Sequence, residues 1–471
     1  MTAQLESGWF PDFLYRNGRF ESGVAMFIDQ EGRITRFSQA PGDLRQARRL
    51  PDRAILPGLV NVHSHSFQRA IRGRTERRTE ASRDTFWTWR EAMYHAANRL
   101  SPEDIYDVAR MAFLEMLVSG ITTVGEFHYL HHAADGTPYD DPNLLAHQVL
   151  RAARETGLRI ALLRTAYARA GWRCDLNPGQ ARFLTLCVGD FVRHTDALRA
   201  ELAASSSPDS AWVGIAPHSV RAVPLEYLLE ATQYARANQL KIHMHVAEQP
   251  AEVQACQAEF GLPPVALLHH NQALDSNFTG VHAIHVTEDE IGYLAAAGAR
   301  VCACPTTERN LGDGINPADR WLQSGVGVCY GSDSNVQIDL LEDARELEYH
   351  LRLKRLERAV LAPDLKPESL AESLFASATQ VGSESLGGPG GSLEVARPAD
   401  FFTVDLNDLS TAGADADSLL SHIVFASGRA AIRDVFVGGE PVILEGHHVR
   451  EDEIVQRFIA VQRRLWGPSS T

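Results

Sequence analysis

No apolar run in the 471 residues approaches the length that spans a bilayer, which excludes a helical membrane protein. Basic residues are in short supply. Against 60 Asp and Glu stand 45 Lys and Arg, and the resulting net charge of -15 repels phosphate backbones and anionic lipid. Neither a nucleic-acid nor a membrane partner is expected. The first residues, MTAQLESGWFPDF, lack the basic start and apolar core of a secretory signal, so the chain is expected in the cytoplasm. Cysteine is scarce as well: Cys174, Cys187, Cys256, Cys302, Cys304 and Cys329 form no CxxC pair, and three lie in apolar runs. Buried, reduced thiols are expected. Composition is otherwise that of a globular chain, 44% hydrophobic and 22% charged, which excludes global disorder. Histidine is the exception, with 19 copies, several at the ends of apolar runs.

Those runs are LVNVH, ITTVGEFH, LRIALLR, AWVGIAPH, LKIHMHVAE, FTGVHAIH, ARVCACP and VGVCYGSD, and segments of helical period separate them. Eight βα units predict an α/β fold with a closed, TIM-like (β/α)8 barrel over residues 56–386. NLLAHQVLRAARETG carries one apolar face and stops at Gly157, and Ser101 is placed to cap the helix that follows it. The flanks, 1–55 and 387–471, hold short alternating strands with glycine turns and predict one small β-sandwich domain built from both ends, plus a terminal helix. A Gly- and Pro-rich stretch, LGGPGGSLEVARPAD, marks the boundary.

In a parallel barrel, reacting groups sit at the carboxyl ends of strands. His63 and His65 end the first run two residues apart, on one strand face; His245 ends the fifth run, His282 lies in the sixth, and Asp333 ends the eighth. Three imidazoles and a carboxylate suit zinc or another late first-row ion and leave room for a water. His243 lies one pleat deeper on the same face as His245 and is read as supporting or packing.

These motifs resemble the amidohydrolase superfamily over the whole chain. Within it, HSHSFQR, EFHYLHH, HSVRAV, HMHVAEQ and NLGDGI are similar to the formimidoylglutamate deiminases, which act on N-formimino-L-glutamate in histidine degradation. The resemblance implies a hydrolase with His63, His65, His245 and Asp333 as metal ligands. No lysine ends the fourth run, where two-metal members often place one, so one divalent ion per chain, zinc, is expected. It also implies Glu248, His282 and Asp333 as catalytic groups. Glu248 protonates the imino nitrogen, Asp333 takes a proton from the attacking water, and His282 orients that water. Spacing alone reads Glu248 equally well as a solvated carboxylate opening the next helix. Arg221 and His218 are assigned to a substrate carboxylate, with Gln68 and Tyr129 as neutral donors. The implied partner is a small anionic substrate, and a homodimer is expected. Asn335 departs from the histidine expected in close relatives.

Two segments carry no site assignment: the arginines Arg69, Arg72, Arg74, Arg77 and Arg78, read as a solvent-facing run, and FWTWREAMY, read as a packing helix, a lid or a subunit contact. Two other functions stay open at this point. One is deamination of an aromatic base such as guanine or cytosine; the other is a barrel that binds a metal or ligand without turnover.

Overall fold

Five strands precede the first of the apolar runs: β1 (Ser7–Arg16), β2 (Arg19–Glu21), β3 (Ala25–Ile28), β4 (Ile34–Ser38) and β5 (Arg48–Pro57). The computed structural model describes residues 6–78, 84–205, 209–362 and 369–467. The eight runs are all strands: β6 (Leu59–Ser64), β7 (Ile121–His128), β8 (Arg159–Ala166), β9 (Ala211–Pro217), β10 (Ile242–Val246), β11 (Phe278–His282), β12 (Arg300–Ala303) and β13 (Gly327–Tyr330). They pair in chain order into one eight-stranded parallel sheet. Every residue of β6, β7, β8, β10 and β11 is buried, as befits strands covered on both faces.

The ring closes just beyond β13. Asp333 N donates to His63 O at 2.9 Å and His65 N donates to Asp333 O at 3.0 Å, so the same backbone that closes the barrel also carries three histidine or aspartate side chains. Gly331 permits the approach, because a Cβ there would lie 2.6 Å from His63 Cβ.

Three late strands, β14 (Phe401–Asp405), β15 (Ile432–Val437) and β16 (Glu440–Ile443), join the first five in a second sheet of order β16-β15-β14-β5-β1-β3-β4, with β2 on β1. The small β domain thus draws on both ends of the chain, as expected, and its strands run as one continuous sheet. Its inner face has its own apolar cluster, in which the Trp9 ring lies edge-on to Phe401 and Phe436 at 6.0 and 5.8 Å. β5 is central to it, parallel to β1 and antiparallel to β14, and leads through Gly58 directly into β6.

Local signals set the helices. Ser101 and Asp104 form a reciprocal capping box at Pro102–Leu117, and Gly157, at φ 81°, ends Leu144–Thr156. The last helix, Glu451–Trp466, returns to the barrel and packs on Pro102–Leu117. There Gln462 Nε2 and Trp466 Nε1 donate to the Ala70 carbonyl at 2.9 and 3.2 Å, bracing the short helix Ser66–Ile71 that follows β6.

Cys256, Cys302, Cys304 and Cys329 are buried free thiols, whereas Cys174 and Cys187 are exposed. The expectation of burial fails for these two because they lie in an irregular excursion after β8, not in a strand. Among the described residues no helix is long and apolar enough to cross a membrane.

Candidate metal and active site

His63 on β6, His65 just past it, His245 on β10 and Asp333 beyond β13 bring their ligating atoms within 4.8 Å of one another. His63 Nε2 lies 3.2 Å from both His65 Nε2 and His245 Nε2, and Asp333 Oδ1 lies 3.4 and 3.3 Å from His63 and His65. The far ring nitrogens decide what this cluster can hold. His65 Nδ1 bonds the Phe127 carbonyl at 3.0 Å and His245 Nδ1 bonds the His218 carbonyl at 3.1 Å. A carbonyl only accepts, so both Nδ1 atoms carry the hydrogen and the Nε2 atoms present lone pairs. Burial keeps a second proton off: it pulls His63 down to about 3 and lowers His65 and His245. Lone pairs converging with a carboxylate in a buried site fit a divalent cation. The Asp333 carboxyl, despite burial, is held below its usual range by the His63 hydrogen bond and the surrounding imidazoles.

His282 and Glu248 stand beside this cluster. His282 Nε2 is 3.7 Å from Glu248 Oε1 and 3.7 Å from Asp333 Oδ2. Burial pushes Glu248 up to about 7, against the charge of His282. It is thus a half-buried carboxyl beside the cluster, in surroundings that favour its protonated form more than water does. Ala247, His282, Ala283, Asp333 and Asn335 all have positive φ, between 45° and 72°. Non-glycine residues rarely adopt it, at about 1–3 kcal/mol each, and here it clusters at the strand ends that carry the site.

Above the cluster opens a cavity. Gln68, Tyr129, His218 and Arg221 line it together with His65, His245, Glu248, His282 and Asp333, so the residues singled out in the sequence share one place; His63 lies beneath. Gln68 Nε2 donates to Tyr129 Oη at 2.9 Å, and Arg221 reaches the Ala170 carbonyl at 3.4 Å beside Tyr167. His243 stays outside, bonded to the Ser385 carbonyl at 3.2 Å. Asn335 has a defined place: Nδ2 donates to Ser64 Oγ at 3.2 Å and to the His65 carbonyl at 3.0 Å, tying the β13 loop to the first ligand pair.

Two sequence readings need correction. Arg69 and Arg72 do not face solvent; both pair with Glu115, at 2.9 and 2.6 Å, and Arg72 also donates to the Asn335 carbonyl. FWTWREAMY, the helix Phe86–Ala97, does more than pack: Phe86, Trp89, Arg90, Met93 and Tyr94 wall the cavity. Arg90, overlooked in the sequence, lies over the Trp87 ring at 4.4 Å, and its buried Nε has no hydrogen-bond partner among the described residues. A cation inside an aromatic helical stripe was the available signal.

The chain matches the amidohydrolase family model over residues 54–442. It belongs to the amidohydrolase family. Across 98% of its own length and 98% of the relative's, this amidohydrolase is 39% identical to a formimidoylglutamate deiminase of Pseudomonas aeruginosa. The crystal structure of an amidohydrolase from Brucella melitensis superposes with a TM-score of 0.89 at 34% identity, covering 98% of this chain and 99% of that one. An adenosine deaminase from Xanthomonas campestris with bound zinc shares the fold, with a TM-score of 0.81 at 22% identity over 97% and 98% of the two chains.

The loop after β12 adds a buried carboxyl, Asp313, beside Gln249. Burial, then the charge of Glu248, pushes Asp313 up to about 9. Its proton is held more tightly folded than unfolded, so this group's contribution to stability falls as pH rises from 3.8 to about 9. Asp313→Asn is expected to raise the thermal midpoint at alkaline pH, with the gain vanishing toward acid. Calorimetry across pH checks this, and a midpoint unchanged or lowered in alkali contradicts it.

Proposed function

We propose that this amidohydrolase hydrolyses N-formimino-L-glutamate to N-formyl-L-glutamate and ammonia. The observation that carries the reading is the pair of arginines, Arg90 and Arg221, facing a largely aromatic-walled cavity whose floor holds the histidine and carboxylate cluster. A substrate with two carboxylates needs two cations, and a linear amidine must extend to the floor. Likeness to the Pseudomonas aeruginosa formimidoylglutamate deiminase supports the same substrate.

His63, His65, His245 and Asp333 would hold one zinc ion per chain, and that ion supplies Lewis acidity that lowers the pKa of water. Arg221, with His218, binds one substrate carboxylate in a planar, two-pronged contact, while Gln68 and Tyr129 hydrogen-bond around it. Water adds across the C=N bond of the formimino group. Asp333 takes the water's proton, His282 orients the water through Nε2, and Glu248 delivers a proton to the imino nitrogen. The proton held by Asp333 then passes to that nitrogen, the C–N bond breaks and ammonia leaves, while the hydroxyl proton of the adduct returns to Glu248 as the C–O bond becomes the formyl carbonyl.

The aromatic walls would also suit a flat ring, the feature favouring a base deaminase. Ammonia release from a panel of N-formimino-L-glutamate, guanine, cytosine and adenosine tests the choice, and faster turnover of any ring compound refutes the proposal. Arg221→Ala is expected to keep the metal and lose about 2–5 kcal/mol of transition-state binding in kcat/KM. Arg221→Lys recovers only part, because a point charge cannot reproduce the bidentate contact. Unaffected variants would place the substrate carboxylate elsewhere.

A further inference from the structure

The segment Cys304–Asn316, which contains the NLGDGI motif, places a buried carboxylate directly behind His282. Glu308, on the short helix Pro305–Leu311, is 1% exposed. Its Oε1 lies 3.1 Å from His282 Nδ1 and accepts from Cys304 N at 3.0 Å and Asn316 Nδ2 at 3.2 Å. Asn316 Nδ2 also reaches the His282 carbonyl at 3.2 Å, so one amide braces both the carboxylate and the backbone that carries the ring. That backbone sits at φ 72°, outside strand geometry, and the strand therefore does not itself aim the ring. His282, Cys304 and Glu308 are close enough to hold an ion; Oε1 already receives the N–H groups of Cys304 and Asn316 and faces His282 Nδ1, the arrangement of a hydrogen-bonded brace, while Oε2 has no hydrogen-bond partner among the described residues.

We propose that Glu308 is the positioning residue of His282: it fixes the hydrogen on Nδ1 and turns Nε2 toward Glu248 and Asp333. An ionised carboxylate can only accept, so the ring nitrogen facing it must donate. The other nitrogen, 3.7 Å from both Glu248 Oε1 and Asp333 Oδ2, is then the one presented to water and substrate. Without Glu308 the ring could rotate about its side-chain bonds or exchange tautomers, and either change misplaces Nε2. Glu308 touches no reacting atom. Its effect falls on the chemical step and not on substrate binding or on the ligand cluster.

The inference rests on the proposed function in one respect, that His282 takes part in the reaction. The test uses the full-length, metal-loaded protein with Glu308→Leu, Glu308→Asp, Glu308→Gln and, in parallel, His282→Asn. Leucine removes the acceptor, aspartate withdraws it by one methylene, and glutamine keeps an oxygen in place. The expected loss of kcat is about 10- to 100-fold for Leu, smaller for Asp and smallest for Gln, with KM and metal content near wild type. If Glu308→Leu does not fold, Glu308→Asp decides on the same criteria. Wild-type kcat in the Asp variant, or a loss of metal or substrate binding that parallels the loss of kcat, overturns the assignment. His282→Asn separates the two readings. Full turnover in that variant removes His282 from the mechanism, whereas its inactivity beside a fully active Glu308→Asp defeats only the role given to Glu308.

Discussion

Glu248→Gln is expected to lower kcat roughly 10²- to 10⁴-fold while the protein keeps its metal and its fold. Glu248 stands three residues past His245, outside the ligand cluster, and faces His282 at 3.7 Å. Glutamine fills the same space and keeps a hydrogen-bonding end, but it cannot exchange a proton. The effect is large because Glu248 meets both demands on a proton carrier. It lies at the cavity floor, and burial lifts it to about 7, where it can give and regain a proton near neutrality. Below that pH the carboxyl is protonated and ready to donate; above it the carboxylate must first recover a proton. Steady-state kinetics with metal analysis on the same sample measures the outcome, and near wild-type turnover would return Glu248 to a purely structural role.

Asp333→Asn is expected to abolish turnover and metal retention together. The prediction separates side chain from backbone, since Asp333 closes the barrel through its own N–H and C=O, both of which the asparagine variant keeps. The barrel should therefore still close. What changes is the carboxylate, 3.4 and 3.3 Å from the His63 and His65 nitrogens, whose negative charge balances a cation in a site with no other anionic ligand. In the wild type, chelation should remove activity and added zinc restore it; in Asp333→Asn zinc should not restore it. Retained metal with lost turnover would assign Asp333 to proton transfer alone.

The barrel was legible because parallel strands buried on both faces read as unbroken apolar runs, and the members of the candidate metal cluster were legible because histidine and aspartate ended those runs. The positions missed share a different origin. Arg90 faces the cavity because its helix folds over it, and nothing in FWTWREAMY distinguishes a helix that walls a pocket from one that fills a core. Arg69 and Arg72 read as a solvated run because Glu115, their partner, is more than forty residues away in the chain. Glu308 acts on a histidine 26 residues earlier, a relation that appears only once the ends of β11 and β12 are side by side. Periodicity records which face is buried, not what that face meets.

The placement of β5 and of the last helix also orders events in time. β5 leads straight into the first two ligands, yet one of its neighbours, β14, begins at Phe401, and the brace under Ala70 comes from Gln462 and Trp466. During synthesis the ligand-bearing residues emerge long before the segments that support them. Such distant pairings are slow to form, and until they do the β5 edge is open to other strands. The candidate metal site therefore matures last, after nearly the whole chain has been made, and an ion held there is best acquired as a finishing step of folding rather than as a nucleus for it.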